Sequence, residues 1–166
     1  MKVLYLVRHA KSSWDDPDLE DIARPLNGRG KSDAQAMGEK LLRQGIKPEI
    51  LVSSPAKRTR STAKSLAKKI GFPKENIRIA DELYHGNMNQ ILEFLRGTPK
   101  ETGSVMIFSH NPILTEFANA LCGVNIYNIP TCGVVAIEFD IREWALLEYN
   151  KGKLVFFDYP KKPGEG

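Results

Sequence analysis

A chain of 166 residues, 42% hydrophobic and 27% charged, fits one ordinary globular domain spanning residues 1–166. Its net charge of +4 is too small to announce nucleic acid, and no basic stripe with interleaved aromatics is legible. No apolar run approaches the roughly 18 residues of a membrane span, and Met1-Lys2 followed by one short apolar stretch is too brief for a signal peptide.

The first element is Val3-Leu4-Tyr5-Leu6-Val7, an apolar, valine-bearing run that predicts a short buried strand over 2–7. Arg8 and His9 follow with no spacer. They place a fixed cation and a nucleophilic nitrogen, titrating at about 6.5, at the carboxyl end of the strand, where open α/β sheets bind ligands. The pair suggests attack on an anion, most simply a phosphoryl group; a chance surface pair is the plainer alternative. Residues 8–26 read as a loop, long enough to be functional or disordered. It carries Lys11, Trp14, acids from Asp15 to Asp21, and Arg24. The acids loosely suggest a calcium loop, but Asp21 stands where such a loop needs glycine and Pro17 intrudes, so no metal site is expected. Arg24 is either a surface arginine before a turn or a further phosphate ligand. A helix from Asn27 to about Arg43 carries Ala34, Met37, Leu41 and Leu42 on one face and stops at Gly45. Its start, Gly28-Arg29-Gly30-Lys31-Ser32, mimics the end of a nucleotide-binding P-loop. Pro25 occupies the place of that motif's first glycine, so the reading is rejected.

Residues 50–53 predict a second strand. Ser54 then reads as a helix N-cap and Pro55 as the first helical position, with a helix over 55–70 and Arg58 in its first turn. Ala63, Leu66, Ala67 and Ile70 form its apolar stripe, and the basic residues from Lys57 to Lys69 read as a solvated face. A short strand near Ile77–Ile79 precedes a loop with Glu82 and His85, the latter read as a rim histidine, and then a helix over 88–96. Strand 104–108 ends at Ser109-His110, and a helix over 112–121 opens near Asn111-Pro112. Residues 133–139, 144–149 and 153–158 look like an antiparallel meander, one turn being Asn150-Lys151-Gly152. The earlier alternation implies parallel crossovers. The expected fold is therefore a three-layer α/β/α sandwich with a mostly parallel central sheet and antiparallel strands near the C-terminus. If the first strands are parallel neighbours, Arg8, His9, Arg58 and His110 converge in one crevice, with helix N-termini adding N–H donors for an anion. Cys122 and Cys132 match no zinc-ligand spacing and read as reduced thiols, which points to a cytoplasmic setting. The tail from Pro160 to Gly166 is polar and expected to fray. No heptad or large apolar stripe is visible, which favours a monomer.

Taken in order, Arg8-His9-Ala10, the stretch Ser53-Ser54-Pro55 through Arg58 to Thr62, and Ser109-His110 resemble the histidine phosphatase, or phosphoglycerate mutase-like, superfamily. Arg24-Pro25-Leu26 with Gly28 and Gly30, and the short length, look most like its SixA-type phosphohistidine phosphatase branch. The family pattern selects Arg58 over Arg60 and tips Arg24 toward phosphate. It departs at Ala10, where the pattern has glycine and a Cβ could alter the approach of the backbone to phosphate. Several relatives use a carboxylic acid in the position of Glu82; a salt-bridge role is an equal alternative there.

The resemblance implies two-step phosphoryl transfer. His9 attacks phosphorus and becomes phosphorylated. Arg8, Arg58 and Arg24 grip the phosphoryl oxygens, and His110, charged once phosphate is bound, adds a donor. Water then releases phosphate, with no metal ion or cofactor called for. Phosphohistidine on a protein suits an open crevice and needs no strong acid. The alternatives are a small phosphorylated molecule, a phosphoglycerate mutase-like reaction, and a non-catalytic phospho-ligand binding module.

Overall fold

The computed structural model describes residues 1–161, so most of the expected frayed tail lies outside the described residues. The elements in chain order are β1 (Lys2–Arg8), α1 (Gly28–Arg43), β2 (Ile50–Ser53), α2 (Lys57–Ile70), β3 (Arg78–Ile79), α3 (Glu82–His85), α4 (Met88–Arg96), β4 (Ser104–Ser109), α5 (Ile113–Cys122), β5 (Val134–Phe139) and β6 (Lys153–Asp158). One six-stranded sheet runs β3-β2-β4-β1-β5-β6. Strands β3, β2, β4 and β1 are mutually parallel. Strand β5 pairs antiparallel with both β1 and β6.

The strands are near-continuous apolar runs because both faces of the sheet are covered. Side chains alternate between two cores. Leu4, Leu6, Val105 and Ile107 face α4 and α5, packing with Ile91, Leu95, Leu114 and Phe117. Val7, Met106 and Phe108 face α1 and α2, packing with Met37, Leu41, Leu66 and Ile70. Each such fully buried side chain contributes about 1.5–3 kcal/mol. The expected three layers are thus present. Among the described residues, no helix is long and apolar enough to cross a membrane.

Register is what positions the site. Arg8 lies opposite Ser109 and Ser53 opposite Phe108, so β1, β4 and β2 end level with one another. The chain leaving each strand therefore emerges at one rim.

Several boundaries differ from the sequence expectation, each for a physical reason. Helix α2 begins at Lys57 with Ala56 as N-cap, and the carbonyl of Ala56 accepts the first helical bonds, from Thr59 and Arg60. Ser54 is no N-cap. Its N–H still donates to Phe108 as an extension of the strand pairing, at 3.1 Å, and its hydroxyl accepts from Ala56 N at 3.2 Å, one residue ahead of the helix, while also meeting a side chain from another strand end. Residues 144–149 form no strand. A 3-10 turn at Trp144–Leu146 buries the indole, whose Nε1 donates to the carbonyl of Thr102 at 2.7 Å. The apolar residues there fill the core through a turn rather than by alternation. Leu42 is half exposed, leaving Ala34, Met37 and Leu41 as the buried stripe of α1. The segment read as a loop at 82–85 is a one-turn helix, tied to the end of β4 by Ser109 Oγ donating to the carbonyl of Leu83 at 2.7 Å.

The 8–26 loop is folded onto the domain. Ser12 bridges to Leu26, a 3-10 turn spans Asp21–Ala23, and Asn27 caps α1 by accepting from Gly30 N at 2.8 Å. A Cβ at Gly30 would lie 2.1 Å from the carbonyl oxygen of Lys11, so only glycine lets the loop cross the start of α1 this closely. Ala10 needs no such freedom: it is buried in the core beneath α1 and α2, and its Cβ packs there with Val7 and Leu26.

Candidate active site

Two imidazoles meet at the rim defined by the level strand ends. The rings of His9, after β1, and His110, after β4, lie with centroids 5.1 Å apart. The backbone of the first is held from two sides. His9 N donates to Ser109 O at 3.2 Å, and Cys132 N donates to the carbonyls of Arg8 and His9 at 3.1 and 3.0 Å. Cys132 reaches this position with φ at 61°, inside the left-handed region.

Hydrogen bonds set the ring tautomers. His9 Nδ1 lies 2.7 Å from the carbonyl of Ala10, which can only accept, so Nδ1 carries the proton and Nε2 keeps a free lone pair. The same Ala10 donates its N–H to Thr62 Oγ1 at 3.0 Å. In His110, Nδ1 lies 3.3 Å from Arg58 Nη2, a group that only donates, so Nδ1 is the acceptor. Nε2–H of His110 then donates to Ser54 Oγ at 2.7 Å, with Thr59 Oγ1 at 3.3 Å.

Electrostatics keep both rings neutral in the free protein. Burial, followed by the charges of Arg58, Arg8 and Arg24, pulls His9 down to about 4, against the opposing hydrogen bond to Ala10. Burial, then His9 and Arg58, pull His110 down to about 3. A neutral imidazole with an exposed lone pair is the nucleophilic form at pH 7.

The arginines surround this pair. Arg58, from the first turn of α2, is nearly buried and touches His110. Arg60, two residues on, turns back instead and donates to the carbonyl of Pro55. Arg8 donates through Nη1 to the carbonyl of Ile129 at 2.9 Å, while its buried Nε has no partner. An unmet buried donor of this kind is costly. Arg24 is buried beneath Trp14, whose ring centroid lies 3.3 Å from the guanidinium carbon, and donates to Ser13 O and Ser12 Oγ.

Asp21 links two of these cations, and nothing in the sequence marked it out from the acids around it. Its Oδ1 accepts from Arg24 Nη1 at 3.0 Å, its Oδ2 accepts from Arg58 Nη2 at 2.9 Å, and its carbonyl accepts from Arg58 Nη1 at 2.7 Å. Tyr84 donates its hydroxyl to the same Oδ2 at 2.6 Å and sets its ring edge against His110 at 5.2 Å. The Tyr84 bond first, then Arg58 and Arg24, hold the Asp21 carboxyl well below the usual carboxylate range. Ser54, Thr59, Thr62 and Tyr84 likewise escaped as site residues. Ser54 and Thr62 lie in the family motif with no pattern that reveals these contacts, and Tyr84 stands beside His85 with no local signal of its own.

Two other candidates are not drawn in. Glu82 makes no hydrogen bond or ion pair with the basic cluster and lines a separate depression with Asp81, His85, Gly86 and Gln90. His85 is exposed and contacts the outer side of Tyr84, at 4.6 Å.

A parallel-sheet α/β scaffold that gathers two imidazoles and three guanidiniums at one rim defines a phosphoryl-handling protein. The family model of the histidine phosphatase superfamily (branch 1) matches residues 4–94, more than half of the chain, and the chain belongs to that superfamily. It is accordingly a phosphatase, of the SixA type in its overall build. An uncharacterized chloroplastic protein of Arabidopsis thaliana is 33% identical over 150 residues, 85% of this chain and 68% of that protein. A structure from Agrobacterium tumefaciens assigned as a SixA phosphohistidine phosphatase superposes with a TM-score of 0.82 at 26% identity, covering 96% of this chain and 98% of that one. The protein histidine phosphatase SixA, solved with tungstate, superposes at 0.81 and 20% identity, covering 95% and 97%.

Proposed function

We propose that the protein hydrolyses phosphohistidine on a partner protein through a phosphohistidine intermediate of its own. The observation that carries this reading is the free Nε2 lone pair of His9, with Nδ1 tied to Ala10, set against His110 and the arginine cluster. Nε2 attacks phosphorus in line with the leaving nitrogen. Arg8, Arg58 and Arg24 hold the phosphoryl oxygens with charge-assisted bonds, Arg8 Nε among them. A phosphoryl dianion beside His110 favours protonation of that ring, which then becomes a further donor. Water attacks the phosphorylated His9, phosphate departs, and the imidazole is restored.

The substrate class follows from the leaving group. An alkoxide needs a positioned acid, typically worth 10²–10⁴-fold. Among the described residues, the carboxylate hydrogen-bonded to the basic cluster is Asp21, which is held ionised, while Glu82 stands apart. Phosphoimidazole leaves without such an acid.

The test compares phosphate release from a phosphohistidine-bearing protein with release from a sugar phosphate. The phosphoprotein should be preferred by at least tenfold, and label from it should appear on the enzyme in an acid-labile, base-stable bond. His9→Ala should abolish both turnover and labelling, by about 10³-fold or more. Turnover that survives His9→Ala would remove the nucleophile assignment. Interconversion of phosphoglycerates without phosphate release would favour a mutase instead.

A further inference from the structure

We propose that Asp21 selects the leaving group, its carboxylate accepting a hydrogen bond from the ring N–H of a departing imidazole and disfavouring a departing oxyanion. The inference rests on the phosphohistidine reading and deepens it.

The position of the carboxylate is the first ground. The side chain of Asp21 is 51% exposed, whereas those of Arg24 and Arg58, to which it binds, are 8% and 7% exposed. Arg58 Nη2 joins Asp21 Oδ2 at 2.9 Å to His110 Nδ1 at 3.3 Å, so the exposed carboxylate stands one guanidinium away from the buried imidazole pair. On this proposal a group leaving away from the buried His9 passes that exposed carboxylate on its way to solvent.

The second ground is hydrogen-bonding capacity. An ionised carboxylate offers about four acceptor positions. Arg58 and Tyr84 take two on Oδ2, and Arg24 takes one on Oδ1. One position on Oδ1 is left for an incoming donor. Arg24, Arg58 and Tyr84 are the charged and titratable groups facing Asp21, with His110 reached through the ring edge of Tyr84. All three direct partners donate, so all three keep the carboxylate ionised and unable to give up a proton.

The chemistry that suits such a group is specific. In phosphoimidazole one ring nitrogen bears the phosphoryl group and the other can carry a proton. As the bond from His9 Nε2 to phosphorus forms, the phosphorus–nitrogen bond breaks and its electron pair returns to the leaving nitrogen. With the other nitrogen already protonated, the ring departs as neutral imidazole. Asp21, accepting from that N–H, favours the protonated ring and so the better leaving group. An alkoxide or phenoxide at the same place meets like charge and no acid.

The test uses Asp21→Asn, which keeps the shape and loses the charge, with phosphoimidazole and phenyl phosphate as probes. The ratio of kcat/KM for phosphoimidazole over phenyl phosphate should fall at least tenfold in the variant. The descending limb of kcat against pH with phosphoimidazole should move to lower pH, because no carboxylate then holds the ring proton. Asp21→Glu, which keeps the charge, should retain the limb near its original position. Equal losses on both probes would reduce Asp21 to a positioning residue for Arg24 and Arg58, and an unmoved ratio and limb would make it idle; either outcome overturns the proposal. Wild-type preference for phenyl phosphate would overturn the phosphohistidine reading itself, separately from the response to the variants.

Discussion

The site has two halves built in different ways. Its inner half, His9, His110 and Arg58, stands on the ends of β1, β4 and the first turn of α2, and is fixed by backbone pairing and burial. Its outer half, Asp21, Arg24 and Trp14, lies on one loop and is fixed by side chains holding side chains. The contrast separates the attacking side of the site from the proposed leaving-group side. The nucleophile and its histidine partner are placed by strand ends, where positions hold to within tenths of an ångström, and the groups proposed to meet the leaving group sit on the loop.

Damage to the inner half should cost general turnover, whichever the leaving group, more than damage to the outer. Arg58→Lys keeps one charge but loses the fork that reaches both Asp21 and His110. It should lower kcat/KM by about 10²-fold, as removal of a preorganised donor does; a loss below threefold in steady-state assays would contradict the assignment. Ser54→Ala removes the 2.7 Å partner of His110 and leaves only the longer contact to Thr59. The expected loss is about tenfold in kcat with KM little changed, because His110 would be misaimed rather than absent.

Acid sensitivity should also trace to the inner half. His9 and His110 titrate near 4 and 3 in the folded chain, against about 6.5 when unfolded. Between those values the unfolded chain binds more protons than the folded one, so stability rises with pH across this window and is lost on acidification from about 6.5 downward. Melting temperatures measured from pH 7 to pH 4 should fall, and the slope should flatten in the His9→Asn, His110→Asn double variant. Asp21, whose pKa is depressed, stays charged throughout that window and adds little to the slope. The smallest effect belongs to the outer half. Trp14→Ala removes the ring over Arg24, a contact worth about 0.5–1 kcal/mol, and should raise KM about two- to fivefold with kcat unchanged.

The inner half was largely legible in the sequence, because a strand that must bury both faces announces itself in a run of apolar residues and its end is then known. Arg8, His9 and His110 follow directly from such runs, and the helix over about 27–43 follows from its apolar stripe and the Gly45 stop. Arg58 needed the family motif to separate it from Arg60, since helical spacing alone does not say which cation points inward. The outer half was hidden. Asp21 sits in a crowd of acids, and its bonds to Arg58 and Tyr84 span long sequence separations that leave no local periodicity. Ser54 reads as a cap in the sequence because cap chemistry and histidine anchoring use the same hydroxyl, which accepts from Ala56 N at 3.2 Å and lies 2.7 Å from His110 Nε2. The stretch 144–149 reads as a strand by its apolar content, which does not reveal that the Trp144 indole is anchored to Thr102.

The amide of Cys132 lies against both Arg8 and His9, just ahead of β5. The stillness of the reactive imidazole is thus borrowed from the closing third of the chain. Substitutions that loosen the hairpin of β5 and β6 should blunt turnover without touching any group that meets the phosphoryl oxygens.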